Sequence, residues 1–440
     1  MALRDLLADT RPLRTPTFCR LWTANIVTVI GAQITIVAIP AQLYAVTGQS
    51  SYVGLAGLFG LIPLVIFGLY GGALADVMDR RLLMPGSGFG LVAVSFALFV
   101  LSALGAPNVW LILSVYALQQ SFFALNQPAR TAILPALLPG DQLPVANALN
   151  MTLMTFGAVV GPLVGGMLIP VIGFSFLYLF DACALLVSVW AIWRLPSLPP
   201  QTAADTADAD DAAAAAEGGT PSRRRRAGVR SVIDGFAYLF TAPVLLMSFV
   251  VDIIAMVFGM PRALFPQIAH ETFNGPSSGG AVFAILSAAV PLGALLGGIF
   301  SGWVSRVHRH GLAAVICILV WGVGMTGFGL MLPVAGHWWM LALIGAVVFL
   351  AIGGVADVVS AAFRTTILQQ AADDAVRGRL QGVFIVVVAG GPRIADVLHG
   401  YAATAVGTTW ATAGGGFLVI IGVLIAAAAA PSFIRYPARG

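Results

Sequence analysis

The sequence predicts an all-α membrane protein with twelve transmembrane helices, arranged as two six-helix bundles with both termini in the cytoplasm. Three observations lead to this prediction. Of the 440 residues, 59% are hydrophobic and only 9% are charged, whereas soluble domains carry about 25% charged residues. Apolar runs of about twenty residues, the length that crosses a bilayer as a helix, recur along the chain. Arginines lie almost entirely in alternate loops between these runs.

The apolar runs are separated by charged or turn residues and define twelve expected spans. A β-barrel is disfavoured, because its strands of about ten residues alternate in polarity. The first run is too long for a cleavable signal peptide and contains Pro40. The spans are expected near residues 18–46, 52–75, 82–104, 109–126, 144–172 and 174–193 in the first half, and near residues 243–268, 279–304, 312–334, 338–363, 380–405 and 410–430 in the second half.

The positive charges indicate the orientation in the membrane. All 22 basic residues are arginines, and all but Arg262 and Arg393 lie before or at the start of the first span, after an even-numbered span or at the C-terminus. Basic residues mark the cytoplasmic side, so both termini are expected there. Because the arginines are spread between apolar runs rather than clustered on a soluble face, a nucleic-acid partner is not expected.

Residues 195–230 differ from the rest of the chain in composition. They are rich in proline, alanine and aspartate and end in a basic stretch that includes four consecutive arginines at positions 223–226. Such a segment cannot bury a core, and we expect a disordered cytoplasmic linker between an N-terminal bundle (residues 1–194) and a C-terminal bundle (residues 231–440). The basic run is expected to fix the topology, with binding to anionic lipid as the alternative.

The two halves contain matching short sequences. RTAIL at residues 130–134 recurs as RTTIL at residues 364–368, Gly161-Pro162 recurs at residues 391–392, and Pro-Leu occurs at residues 63–64 and 291–292. The spacing between the members of each pair is nearly constant, and the matches fall in equivalent spans. This pattern favours a duplicated six-helix unit, whose two copies would rock about a site near the middle of the membrane.

The loop after the second span carries the sequence GALADVMDRR at residues 72–81. It resembles the loop motif of the major facilitator superfamily of transporters. Gly72 would permit close helix contact, Asp76 would cap or pair at a helix end, and Arg80 and Arg81 would hold the loop in the cytoplasm. The resemblance implies a cytoplasmic gate, and the alternative is an ordinary turn.

The fifth span contains GAVVGPLVGG at residues 157–166, which resembles the antiporter motif of the same superfamily. Gly157, Gly161 and Gly165 lie on one helix face followed by Gly166, and Pro162 frees a backbone carbonyl and bends the helix. The resemblance implies export rather than import. Ordinary close helix packing is the alternative interpretation.

Nearly the whole chain resembles the enterobactin exporter branch of this superfamily, close to its macrolide and multidrug efflux branches. The resemblance includes MPRALFP at residues 260–266 and AVPLGA at residues 289–294. It implies proton-coupled export of a siderophore or similar amphipathic small molecule across the bacterial plasma (inner) membrane by a monomer. The alternatives are a multidrug or macrolide efflux pump and, less favoured, a lipid transporter.

Some features separate this chain from related classes of protein. The fourth span lacks the arginine that many proton-coupled drug antiporters carry, which leaves proton coupling through that position in doubt. An enzyme is not expected, because the intramembrane acids are dispersed rather than clustered near one interface. No metal or cofactor is expected, since the three cysteines are far apart and the absence of lysine excludes a P-loop.

Ionisable residues inside the membrane are candidates for function, because each costs about 2.5–3.5 kcal/mol to insert. Arg393 and Asp396 are expected to pair at rest, until protonation or an anionic substrate separates them. A structural ion pair is the alternative, and Asp181 in the sixth span is also expected to be structural. The amides of Gln119 and Gln120 are expected to face the interior. The predicted substrate and proton pathway comprises Arg393, Asp396, His399, Asp252, Asp357, Arg262, Gln33 and Asn25.

Overall fold

A computed structural model describes residues 11–77, 80–105, 108–131, 133–194, 229–371 and 374–436. The regular structure in these residues is helical throughout. Within this part of the chain, ten helices are long and apolar enough to cross a membrane.

The first half contains five long helices, which are α1 (Pro16–Thr47), α2 (Ser50–Val77), α3 (Arg80–Ala103), α4 (Val109–Thr131) and α5 (Leu143–Trp193). The second half begins with the short helix α6 (Val229–Leu239). It continues with α7 (Pro243–Gly259), α8 (Ala281–Ile299), α9 (His310–Met331), α10 (Trp339–Ala371) and α11 (Asp374–Ala429).

Two of these helices are interrupted by a glycine. In α5, which has 51 residues, Gly173 has φ 78° and ψ 168°. In α11, which has 56 residues, Gly407 has φ 81° and ψ 163°. Only glycine adopts such angles without strain, so each long element consists of two helices joined at that glycine. Gly173 lies at the predicted break between spans five and six.

The helices pair in the same way in both halves. In the first half α1 packs against α5, and α2 packs against α4. In the second half α7 packs against α11, and α8 packs against α10. The duplicated sequence segments thus lie on helices that have equivalent neighbours.

The two halves touch at one end of the bundle, which we call the loop face and define by Tyr44, Ser50, Gln267 and Glu271. The Tyr44 hydroxyl donates to the Glu271 carboxylate over 3.0 Å, and the Ser50 hydroxyl donates to the Gln267 side-chain oxygen over 2.7 Å. Each bond joins the first half to the second. Helices α5 and α8 also meet on this side of the bundle, where the Gly280 amide donates to the carbonyl of Gly166 over 2.9 Å.

The structure corrects two predicted boundaries. The seventh span was predicted near residues 243–268, with a break of the helix at Met260-Pro261, and α7 ends at Gly259 because Pro261 cannot continue its hydrogen-bond pattern. The chain goes on through a 3-10 turn (Pro261–Leu264), a short helix (Phe265–Gln267) and a π-turn (Ile268–Thr272). The predicted linker ends inside α6, which begins at Val229, and residues 195–228 lie outside the described residues.

Candidate translocation site

The central feature of the site is an ion pair between Arg262 and Asp396. Arg262 lies on the 3-10 turn after α7, and Asp396 lies on α11. Arg262 Nε is 2.9 Å from Asp396 Oδ1, and Arg262 Nη2 is 2.7 Å from Asp396 Oδ2. Bidentate contacts of this kind are stronger and more directional than ion pairs made through a single hydrogen bond. The Arg262 side chain is 48% exposed and that of Asp396 is 12% exposed, so the pair borders open space.

Arg393 lies one turn before Asp396 but does not bind it. Its Nη2 donates to Gln120 Oε1 on α4 over 3.0 Å, and its Nη1 donates to the carbonyl oxygen of Ala389 over 2.9 Å. The prediction that Arg393 pairs with Asp396 is therefore wrong. The reason is geometric, since Arg262 engages the carboxylate with two nitrogens while the Arg393 side chain extends across the interface to the first half.

Glycines on α2 make room for this cluster. A Cβ atom on Gly57 would collide with the carbonyl oxygen of Arg393. A Cβ atom on Gly60 would lie 3.2 Å from the Tyr116 hydroxyl and 3.3 Å from Arg393 Nε. Tyr116 thus joins the cluster, although the sequence analysis did not identify it. Its position one helical turn before Gln120 on α4 is the signal that would have found it.

The cluster carries more positive than negative charge near the middle of the membrane. Two guanidinium groups, of Arg262 and Arg393, face one carboxylate, that of Asp396. By helical rise, Gln120 lies on the order of 16 Å from the start of α4 and Arg393 on the order of 21 Å from Gly407. These depths fall between about half and two thirds of the way across a hydrocarbon core of about 30 Å. An anionic group would find a favourable partner here.

A second ion pair lies inside the second half. Arg364 on α10 pairs with Asp252 on α7, and the two side chains are only 6% and 2% exposed. Arg364 Nε also donates to Ser360 Oγ over 3.2 Å. Arg364 was counted with the basic residues after the tenth span, and the structure shows that its side chain turns inward to Asp252. Asp357 is half-buried on the same helix and lies close enough to interact electrostatically with Arg364 and Asp252.

The first half contains the equivalent contact without the acid. The Arg130 guanidinium on α4 donates to the side-chain oxygen of Asn25 on α1. Arg130 and Arg364 begin the matching RTAIL and RTTIL segments. The separation of Asn25 and Asp252 in the sequence is similar to the separation of these two arginines. The equivalent helix pairs are thus joined by different contacts. An ion pair joins α7 to α10, and a hydrogen bond from an arginine to an amide joins α1 to α4.

The glycine face of the antiporter-like motif is a helix-packing surface. A Cβ atom on Gly161 would collide with Gln33 of α1, and a Cβ atom on Gly165 would lie 3.1 Å from Val37. Gly157 faces Val29 in the same way, whereas Gly166 contacts Ala284 of α8. These contacts place Gln33 against the motif.

Two further groups of predicted residues are His399 and the gate motif. His399 was expected to share one cavity with Arg393 and Asp396, but it is 4% exposed and turns toward Gly415, with Nδ1 3.0 Å from the carbonyl oxygen of Ala395. His399 was included in the predicted pathway, but it does not border the same open space as the Arg262 and Asp396 pair. The side chains of the predicted gate motif lie outside the described residues, and these are Gly72, Asp76, Arg80 and Arg81.

Known proteins resemble this chain over most of its length. Enterobactin exporter EntS of Escherichia coli O1:K1 / APEC is 27% identical, over 93% of this chain and 91% of the relative. The protein of the same name from Shigella boydii serotype 18 is 28% identical over the same shares.

Solved structures show a similar fold. A bacterial homologue of the iron transporter ferroportin in an inward-facing state matches with a TM-score of 0.67 at 12% identity, over 96% of this chain and 99% of that one. The peptide transporter POT in complex with sulfate matches with a TM-score of 0.70 at 15% identity, over 99% of both chains.

The profile of the transmembrane secretion effector family matches residues 8–433. This range contains both halves, the repeated segments and all the intramembrane charges described above. The chain therefore belongs to the transmembrane secretion effector family of the major facilitator superfamily, whose members are membrane transporters.

Proposed function

We propose that this chain is a secondary active transporter of the bacterial plasma (inner) membrane that exports a siderophore or a similar amphipathic small molecule, coupled to protons. The observation that carries the proposal is the cluster of Arg262, Asp396 and Arg393 with Gln120. It draws side chains from both halves, borders open space and holds unbalanced positive charge. One chain supplies the whole cluster, which supports a monomer as the working unit.

A fold of twelve spans with both termini in the cytoplasm is part of the proposal. Ten helices have the length and polarity of spans, and two of them are divided by Gly173 and Gly407. Counting each divided helix as two spans gives twelve, which puts both termini on the same side. The distribution of arginines between the spans then favours the cytoplasm for that side.

In that orientation, the loop face lies on the outer side of the membrane, opposite the cytoplasm. The contacts of Tyr44 with Glu271 and of Ser50 with Gln267 join the two halves there. They support a state that is closed toward the outside and loads its substrate from the cytoplasm. Alternating access would require these contacts to break while new ones form at the opposite end.

The chemistry of the cluster favours an anionic substrate group. Guanidinium groups bind planar oxygen anions, such as carboxylates and catecholates, through paired hydrogen bonds. The curated relatives are exporters of enterobactin, and we extend this substrate class to the present chain. Arg393 makes no ion pair with Asp396, so its charge is available to such a group.

Proton and substrate binding would be linked through one ion pair. Protonation of Asp396 removes its charge and releases Arg262, and an anionic substrate group competes with Asp396 for the same guanidinium. Two ligands that act on one contact change each other's affinity by the same factor. Such linkage is one requirement for coupled transport, and the vesicle experiment below determines whether proton and substrate exchange or move together.

The test is transport by the purified chain in lipid vesicles with an imposed pH gradient. We expect saturable movement of enterobactin or a simpler catecholate siderophore that stops when the gradient is collapsed. An apolar macrolide serves as the comparison substrate. Gradient-driven movement of the macrolide alone would establish the multidrug alternative, and movement that ignores the gradient would contradict proton coupling.

A further inference from the structure

Asp181 is a buried acid in the first half that the proposed mechanism does not use. It lies on the second part of α5, after Gly173, and is 1% exposed. Ser95 on α3 donates its hydroxyl to Asp181 Oδ2 over 2.7 Å. Helix α1 packs directly onto the carboxyl group, because a Cβ atom on Gly31 would lie 2.8 Å from Asp181 Oδ1.

The surroundings of Asp181 supply no compensating charge. In the described part of the chain, the ion pairs of Asp252 and Asp396 each have an arginine, while Asp181 has none. The facing side chains are the hydroxyls of Ser95 from α3 and Thr35 from α1. Tyr178, on the same helix as Asp181, is a nearby ionisable group, and it donates its hydroxyl to Gln42 over 2.8 Å. An ionised carboxylate in this place would cost several kcal/mol.

Two buried oxygen atoms at this place lack hydrogen-bond partners in the structure. They are Asp181 Oδ1 and Thr35 Oγ1, and the Thr35 hydroxyl lies beside the carboxyl group. A proton on Oδ1 would turn this atom into a donor toward Thr35 Oγ1. The Thr35 hydroxyl can also donate its own hydrogen to an ionised Oδ1, but only an added proton removes the buried charge as well, while Oδ2 keeps its bond from Ser95.

A metal ion fits this place less well than a proton. The cluster offers four side-chain oxygen atoms, two from Asp181 and one each from Ser95 and Thr35, whereas calcium and magnesium require at least six oxygen ligands. The close contact with Gly31 also leaves no space beside Oδ1. A proton needs neither additional ligands nor a cavity.

We infer that Asp181 is a proton-binding site of the first half, which takes up a proton between Ser95 and Thr35 at mildly acidic pH and is separate from Asp396. The site links α1, α3 and α5 through neutral hydrogen bonds. Loss of its proton would place an uncompensated charge between these helices. The inference does not depend on which substrate the chain moves.

Infrared spectroscopy of the full chain in lipid nanodiscs, without substrate, tests this inference. We expect an absorption component of a protonated carboxyl group at mildly acidic pH that is lost in Asp181→Asn and kept in Asp396→Asn and in the surface control Asp141→Asn. Ser95→Ala, which removes the bond to Oδ2, should shift the component without abolishing it. Its absence from the unmodified chain, or its persistence in Asp181→Asn, would overturn the inference.

Thermal unfolding over a range of pH gives a second readout. A proton bound in the folded state but not in the unfolded state stabilises the fold at low pH, and this contribution is lost as pH rises. As the pH rises from about 4, where the unfolded carboxyl loses its proton, we expect the melting temperature of the unmodified chain to fall relative to that of Asp181→Asn, which has no proton to lose. Equal slopes in the two proteins would overturn the inference.

Discussion

Arg262 forms a bidentate ion pair with Asp396 through two of its nitrogen atoms, although the two residues are 134 positions apart in the sequence. The pair joins the turn after α7 to the middle of α11. Asp396 neutralises the charge of Arg262 and leaves the charge of Arg393 uncompensated. The Arg393 side chain extends to the first half, where it donates to Gln120. The arrangement makes Asp396 the residue whose charge decides how many guanidinium groups a substrate meets.

The two equivalent arginines should differ in their contribution to stability. Arg364→Gln leaves Asp252 buried without its counter-charge, which costs about 3–5 kcal/mol. Arg130→Gln removes a hydrogen bond between a charge and a neutral amide, which costs about 1.5–3 kcal/mol. We expect the melting temperature in detergent to fall further for Arg364→Gln than for Arg130→Gln.

A double variant checks the physical reason for this difference. Asp252→Asn combined with Arg364→Gln removes both charges and should recover most of the stability that Arg364→Gln loses. Arg309→Gln, at an exposed position, is the control for loss of an arginine as such. An equal loss for the arginines at 130 and 364, or no recovery in the double variant, would refute the assignment of a buried ion pair.

The contact of α2 with α11 should control the closure of the loop face. Gly57→Ala places a methyl group against the carbonyl oxygen of Arg393 and forces the two helices apart. In a cysteine-free background with spin labels at Gln49→Cys and Asn274→Cys, we expect longer distances between the labels across the loop face. Gly68→Ala on the same helix, where a Cβ atom meets nothing within 4 Å, should leave them unchanged.

The hydrogen bond between Tyr44 and Glu271 should hold the loop face closed. Tyr44→Phe removes the hydroxyl that reaches the carboxylate, a contact worth about 1.5–3 kcal/mol because its acceptor is charged. The same pair of spin labels should therefore report a larger open population. Tyr401→Phe, at a position that is 51% exposed, is the matched control. Unchanged distances in Tyr44→Phe would mean that this bond does not contribute to closure.

Arg393 should contribute to the affinity for an anionic substrate. Arg393→Gln removes the unbalanced charge and keeps a hydrogen-bond donor, so we expect the affinity for a catecholate to fall about tenfold or more. Binding to the purified chain, measured by calorimetry, gives the value directly. The affinity for an uncharged macrolide should change little, and an equal loss for both ligands would point to a general defect of the fold.

Much of the architecture could be predicted from the sequence because hydropathy and charge act locally. The apolar runs indicated the helices, and the break expected between residues 172 and 174 falls at Gly173. The matched segments at Arg130 and Arg364 indicated equivalent positions, which the structure fills with equivalent contacts. The similar separation of Asn25 and Asp252 was available in the sequence and would have identified their partners.

The pairing of charges could not be predicted in the same way. Arg393 and Asp396 are three residues apart on one helix, and this spacing favours a pair between them. The direction of the Arg393 side chain depends on space left by Gly60 and on the amide of Gln120, both from the other half. The position of Arg262 depends on the end of α7 at Gly259. Such long-range geometry leaves no periodic signal in the sequence.

The most direct test of the central claim is proton movement during substrate transport by Asp396→Asn in vesicles, with Asp141→Asn as the matched control. If the Arg262 and Asp396 pair links the proton to the substrate, Asp396→Asn should bind and move the catecholate while its transport no longer responds to the pH gradient. Asp141→Asn should behave like the unmodified chain. Transport by Asp396→Asn that remains fully driven by the pH gradient would contradict the account.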